Sequence, residues 1–306
     1  MNSEAFLIFL LAVAFDLIIG EPPAKIHPVV WIGKLISFLK SRARPRKADG
    51  LIIAIAAIII TVFAGHAIVV AMGQIPIVGG LLSTAAAAYL LKSTFAIRCL
   101  LQTSQDIGRM IDNNIDDAKT MLPALVGRET KDLTSAQAAS AVIESVSENY
   151  VDTIISPIFY YLLFSPFGLG LEAALAFKAM STMDSMLGYK TKGLKEIGYV
   201  PAKLDDIANY IPARLSIFLI ALARPSRAAA AIASALRDHS KTPSPNSGWP
   251  MSACAGSLNV RLDKPGFYVL QDEGKEAATS DIPDAVGLIG RASILVLAIS
   301  SIILLL

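Results

Sequence analysis

Apolar and polar residues are sharply segregated along this chain, and the lengths of the apolar runs predict its elements. Residues 4–20, 50–72, 75–91 and 285–306 are each close to the roughly 20 helical residues that cross a bilayer core. Four transmembrane helices are therefore predicted. The run at 75–91 is rich in Ala, Gly and Ser, which suits close helix packing in lipid. Between the first two runs lie Lys40, Arg42, Arg44, Arg46 and Lys47. The positive-inside rule puts this basic loop in the cytoplasm, with the N-terminus and the Gly73–Gln74 turn outside.

Residues 92–284 are more polar and are predicted to form a helical and loop-rich region on the cytoplasmic side. Within it, "DIGRMIDNNIDDAK" is amphipathic, and 214–225 is too short to span and is expected as a half-buried helix. The stretch 153–177 has the length of a span, but Pro157 and the Ser165–Pro166–Phe167–Gly168 break cut it in two. A full crossing would also place the Lys-rich stretch 178–203 outside. A re-entrant or surface-packed hairpin is the preferred expectation. Residues 239–284 are expected to be mostly polar connectors around a turn at Ser244–Gly248 and a following small-residue helix.

Composition supports a polytopic membrane protein over a soluble one. The 306 residues are 54% hydrophobic and only 17% charged, against roughly a quarter charged in ordinary soluble domains. A net charge of +2 points to no acidic partner, and nothing has the character of a nucleic-acid surface. The first apolar run lacks a basic leader and a cleavage site, so it is expected to be retained. Cys99 and Cys254 match no metal spacing and are expected to be buried thiols in a reducing compartment.

Polar clusters beside apolar sequence supply the candidate chemistry. In "ESVSENYVDTIISP", Glu144, Glu148 and Asp152 recur every four residues, with Asn149 between them. On a regular helix that spacing is one acidic stripe, whose like charges call for a facing cation. The alternative is a solvated face paired with nearby lysines. Further clusters hold Asp16 and His27; Lys178, Asp184 and Lys190; Asp205, Asp206, Asn209 and Arg214; and Ser244 with Asn246. Many carboxylates with a few cations suit Mg²⁺ holding a phosphate-bearing substrate, with Lys178, Lys190 and Arg214 on phosphate oxygens. Plainer roles stand beside these: Asp16 as an interfacial charge, His27 as a turn residue, His66 as a packing residue within a span. No phosphate loop, dinucleotide fingerprint, zinc spacing or nucleophile elbow is present.

In their order, "FDLIIGEPPAKIHPVVWIGKLI", "AASAVIESVSENYVDTIISPIFYY", "KAMSTMDSMLGYKTKGLKEIG", "KLDDIANYIPARL" and "SPNSGWPMSACAGSLNV" resemble one family. It is the membrane-bound cobalamin-biosynthesis protein called CbiB or CobD, the adenosylcobinamide-phosphate synthase. Two departures are Glu21, where the family usually has Asp, and a loosely matching stretch at 263–272. The resemblance implies one membrane domain over 1–306 in the cytoplasmic membrane, with the active site facing the cytoplasm. It implies an ATP- and Mg²⁺-dependent ligase that joins adenosylcobyric acid to aminopropanol or its phosphate. Other membrane enzymes of the pathway are a further expected partner class. For such a reaction Glu144, Glu148 and Asp152 are expected to hold metal, and Asp184, Lys190, Asp205, Asp206 and Arg214 to serve catalysis, roles that the resemblance itself does not fix. Asp16, His27, Asn149, Lys178, Asn209, Ser244 and Asn246 are assigned to substrate. The alternatives are a membrane transferase of phosphate-bearing substrates and a corrinoid transporter or scaffold.

Overall fold

The computed structural model describes residues 2–126, 130–188 and 194–306. In chain order its helices are α1 (Asn2–Ile18), α2 (Pro28–Ser41), α3 (Lys47–Gly73), α4 (Gly79–Lys92), α5 (Ile97–Asn113), α6 (Ile115–Met121) and α7 (Ser135–Tyr150). They continue with α8 (Ser156–Phe164), α9 (Gly170–Leu187), α10 (Tyr199–Ala208), α11 (Tyr210–Ala223), α12 (Ala228–Asp238), α13 (Gly248–Leu258) and α14 (Ile282–Leu305). Three short strands, β1 (Val260–Lys264), β2 (Tyr268–Leu270) and β3 (Lys275–Glu276), form one sheet in the order β2-β1-β3. The protein is an all-α polytopic membrane protein; among the described residues, three helical stretches are long and apolar enough to cross a bilayer, Lys47–Gly73, Gly79–Asn113 and Thr279–Leu305. The bent pair α10–α11 raises the number to four if it forms one span. α1, expected as a full span, has 17 residues, about 25 Å at 1.5 Å per residue.

The chain divides into two compact units. The first comprises Met1–Ala96, Ser156–Ala208 and Ile299–Leu306. Its core joins α2, α3 and α9 through Ile32, Ile36, Ile53, Ala57, Met183 and Leu187. The approach is close because Gly50 lacks a side chain: a Cβ there would stand 2.2 Å from the Ile197 carbonyl oxygen. Outward-facing Ile52, Ile55, Ile59 and Phe63 on α3 are exposed and recur at helical spacing, as a lipid-facing stripe should. The 153–177 region contains the predicted hairpin: α8 is nine residues long and turns back into α9 at Gly168, whose φ is 71°. Glycine suits that left-handed position.

The second unit comprises Ile97–Ile155 and Asn209–Ala298. Its centre is α7, whose residues 138–147 are all buried. Thr134 starts that helix with a reciprocal cap: its hydroxyl accepts from Gln137 N at 3.2 Å, and Gln137 Oε1 accepts from Thr134 N at 3.0 Å. Small residues let α12 and α13 approach closely, since a Cβ on Gly256 would lie 2.5 Å from the Ala230 carbonyl oxygen. α11 is the half-buried helix expected, with Ala213, Ile217 and Ile220 inside and Ile211, Phe218 and Leu222 outside. The 239–284 region is more ordered than expected. It carries α13 as predicted, and also the unpredicted sheet, whose strands of five, three and two residues are too short for a clear alternation. Cys254 is buried, but Cys99 is exposed, which corrects that expectation.

One buried ion cluster ties the ends of α1 and α4 in the first unit. Lys92 and Asp16 are both fully buried, with Lys92 Nζ 3.0 Å from Asp16 Oδ1 and 2.5 Å from Glu21 Oε1. His27 closes the cluster from the other side, with Nε2 2.8 Å from Glu21 Oε2. Removing one member of such a pair strands the other in a medium that solvates it poorly. Replacing Lys92 by Met is expected to destabilise the first unit by about 3–5 kcal/mol, measured as the unfolding midpoint in detergent. Adding Asp16→Asn should recover part of the loss. A Lys92→Met protein as stable as the parent would show that the cluster contributes nothing.

Candidate active site

The residues assigned to chemistry divide between the two units. In the first unit, Asp184 near the end of α9 and Asp206 on α10 repel each other electrostatically. Burial, followed by the Asp206 charge, raises the Asp184 carboxyl above the usual carboxylate range. The backbone is fitted to this side chain: a Cβ on Gly188 would lie 2.1 Å from Asp184 Oδ1. Asp206 also accepts from Lys203 at 2.9 Å. Asp205 and Lys178 are half-buried in the same unit. Lys190 lies outside the described residues.

The first unit also holds Asp16 and His27, but not as open ligand contacts. Asp16 is fully buried against Lys92. His27 caps α2, its Nδ1 accepting from Val29 N at 3.1 Å while Nε2 faces Glu21. Burial alone would raise the Glu21 carboxyl, but His27 and Lys92 together hold it below its ordinary value. Lys92 was missed in the sequence. Its only signal is a single charge closing the apolar run 75–91. His66 on α3 is exposed and lies 2.8 Å from Glu172 on α9, so it pairs rather than packs.

In the second unit the acidic stripe is not a three-carboxylate set. Both Glu144 oxygens are engaged inside the fold, Oε1 accepting from Ser140 and Oε2 from Tyr268, each at 2.8 Å. Glu148 is exposed, and Asn149 is anchored through its amide to the Ser145 carbonyl at 2.9 Å. Asp152 falls in a π-helical turn, Val151–Ile155. A π turn holds more residues than an α turn, so the regular α-helical repeat assumed for the stripe is interrupted at Asp152. Among the described residues no three His, Cys, Asp or Glu side chains converge as a metal cage. Mg²⁺ is commonly held by one or two carboxylates with substrate phosphates, and that simpler donor set is what Glu148 and Asp152 can offer.

A cationic and aromatic cluster completes the second unit. Arg214 on α11 lies over Tyr210, Cζ 3.4 Å from the ring centroid, and 5.1 Å from the Trp249 ring. Its Nη1 contacts Asn246 Oδ1 at 3.5 Å. Ser244 shapes the turn below, its hydroxyl accepting from Asn246 N at 3.2 Å. His239 stacks on Trp249 with centroids 3.6 Å apart. Arg214 and Asn246, which the sequence put in separate clusters, are thus brought together beside Ser244, while Trp249 and His239 were not foreseen. Asn209 is buried at the start of α11. The array presents a planar cation on aromatic faces, which suits an anionic or planar ligand.

Fold and site together define a multi-helix membrane protein with charged and aromatic side chains gathered at helix ends. The family model described as CobD/Cbib protein matches residues 9–292, and the chain belongs to that family. It is 52% identical to the probable cobalamin biosynthesis protein CobD of Methanothrix thermoacetophila, over 98% of this chain and 97% of that one. It is 35% identical to the cobalamin biosynthesis protein CobD of Klebsiella pneumoniae, over 93% and 92%. The cobalamin biosynthesis protein CobD of Dehalococcoides mccartyi is 33% identical, over 97% and 96%. No solved structure matches the chain.

Asp238 was also missed, and it anchors the loop below this cluster. Its buried carboxylate accepts from Arg237 at 2.9 and 3.0 Å and from Gln271 N at 2.7 Å, with Lys241 Nζ 2.8 Å away. Burial would raise its pKa, but these partners together lower it to about 2. Because the folded value is depressed, its stabilisation is full above about pH 4 and is lost as pH falls toward 2. Asp238→Asn is expected to remove on the order of 2 kcal/mol at neutral pH. The gap between parent and variant, measured by thermal unfolding, should close between pH 4 and 2. A gap independent of pH over that range would refute the assignment.

Proposed function

We propose that this protein catalyses ATP-dependent amide ligation in cobalamin biosynthesis, joining the carboxyl group of adenosylcobyric acid to (R)-1-amino-2-propanol or its O-phosphate. Membership of the CobD/Cbib family over residues 9–292 is the observation that carries this reading. The side chains described above supply chemistry that such a reaction needs. The reaction is assigned to the cytoplasmic face of the cell membrane, where the basic loop Lys40–Lys47 is expected by its charge.

A carboxylate does not condense with an amine at neutral pH until one oxygen becomes a leaving group. In the proposed sequence a corrinoid carboxylate oxygen attacks the γ-phosphorus of ATP and ADP departs, leaving an acyl phosphate. The amine nitrogen then attacks the acyl carbon and inorganic phosphate leaves. Arg214, fixed over Tyr210, offers a planar fork to the transferring phosphoryl oxygens. Glu148 and Asp152 are the carboxylates assigned to Mg²⁺, which when bound would offset phosphate charge. The incoming ammonium must lose a proton before it attacks, and Asp184 is assigned as the base. A carboxyl held above its ordinary pKa is a stronger proton acceptor once ionised. The rate should therefore fall as pH drops through the raised Asp184 value and protonates it.

The order of events is open to a direct test. Oxygen-labelled ATP is incubated with Mg²⁺ and the corrinoid acid, with no amine added. Positional exchange of the bridging oxygen is expected, because ADP forms reversibly beside the acyl phosphate. Arg214→Lys keeps the charge but loses the fork, and should slow this exchange more than it weakens Mg²⁺ dependence. No exchange, in a protein that turns over normally once amine is present, would exclude activation ahead of amine attack.

A further inference from the structure

Three arginines meet at the C-terminal end of α11, and no role described above uses them. Arg224 is the residue at which α11 ends, and Arg227 follows one short 3₁₀ turn later, its backbone N–H donating to the Arg224 carbonyl at 2.9 Å. Arg291 reaches the same point from α14, where its Nε–H donates to the Ala223 carbonyl at 3.1 Å. All three belong to the second unit. Among the described residues no carboxylate pairs with any of them. Arg224 is close enough to α13 to act electrostatically on the buried Cys254 thiol, which leaves Arg227 and Arg291 as the leading contacts for a ligand.

Arg291 occupies an uncommon place for a charge. It is the only charged residue after Asp284, and it is exposed on Thr279–Leu305, a stretch long and apolar enough to cross a bilayer. From Arg291 the helix continues to Leu305 without another charge, about 21 Å at 1.5 Å per residue. Arg291 thus stands near one edge of the apolar stretch, where a long side chain can carry its guanidinium to headgroup depth. The surface beside it is apolar. Ile294 follows three residues on along α14, Phe218 and Leu222 are four apart on α11, and all three are exposed. The carbonyl end of a helix attracts a cation, which accounts for the Arg291 contact to Ala223. It does not account for three cations without a carboxylate beside exposed apolar side chains. That combination matches a molecule with an anionic head and an apolar tail.

We propose that this helix end binds an anionic phospholipid, with Arg227 and Arg291 on the headgroup phosphate oxygens and the acyl chains against Phe218, Leu222 and Ile294. Guanidinium groups hold phosphate oxygens through paired N–H donors, and basic clusters beside membrane helices attract anionic headgroups. Selectivity follows from the uncompensated charge. A phosphatidylcholine headgroup also offers a phosphate, but it brings a quaternary ammonium that three arginines repel. The site stands apart from the ligase reading and involves no covalent step.

Photo-crosslinking tests the site where it lies. The full chain is placed in phosphatidylcholine nanodiscs containing photoreactive phosphatidylglycerol, with photoreactive phosphatidylcholine as the comparison, and the labelled peptides are mapped. Labelling at Phe218–Arg227 and next to Arg291 is expected to be about tenfold stronger with the anionic probe. Unlabelled phosphatidylglycerol should compete, and inorganic phosphate should not. Each basic residue near an anionic headgroup contributes roughly a fivefold factor in affinity. Arg227→Gln should therefore reduce the labelling roughly fivefold, and Arg227→Gln with Arg291→Gln roughly twentyfold. Arg291→Lys keeps the charge and should stay within about twofold of the parent. The Arg227 side chain makes no hydrogen bond among the described residues, so Arg227→Gln leaves the fold intact and carries the test even where the double variant does not fold. Equal labelling by the two probes, or unchanged labelling in Arg227→Gln, would overturn the inference. Competition by inorganic phosphate as strong as by the lipid would also overturn it, in favour of a site for free phosphate.

Discussion

Charge buried in an apolar chain must be paired, and the first unit is organised around that constraint. Lys92 is fully buried at the end of α4, and its contacts to Asp16, Glu21 and the Phe95 carbonyl make that position tolerable. The cluster fixes the end of α1 and the loop that follows. It also orients His27, which caps α2. A residue 76 positions away in sequence from Asp16 thus sets where the first helix ends and the second begins. In lipid, where water cannot substitute for a missing partner, such a cluster specifies geometry more than it adds stability.

The same constraint explains how polar chemistry is distributed in the rest of the molecule. Glu144 is turned inward and satisfied by Ser140 and Tyr268. Asp238 is surrounded by Arg237, Lys241 and Gln271. Glu148, by contrast, is exposed, and Arg214 is stacked on Tyr210. Asp184 stands between these cases, buried enough to favour its neutral form and facing another carboxylate.

Much of the fold was legible because bilayer thickness converts directly into sequence length. The runs at 50–72 and 285–306 became α3 and α14, and Pro157 with Ser165–Gly168 announced the hairpin of α8 and α9. The candidate site was legible in composition but less so in geometry. The acidic stripe assumed a regular helix, and the π turn at Val151–Ile155 breaks that assumption. Nothing in the local sequence distinguishes a carboxylate that binds ligand from one that bonds a tyrosine 124 residues away. Lys92 was missed for the same reason, since its role exists only once α1 and α4 meet. Arg214, grouped in sequence with Asp205 and Asp206, instead meets Asn246 from a separate cluster.

The central claim is that this membrane protein couples ATP cleavage to amide formation between a corrinoid acid and a small amine. The most direct measurement is ADP release by the purified chain in detergent, with ATP, Mg²⁺, adenosylcobyric acid and aminopropanol phosphate supplied singly and together. The account predicts sustained ADP release only when acid and amine are both present, in one-to-one ratio with the amide formed. Sustained ADP release with either substrate omitted, or amide formed without ADP, would contradict it.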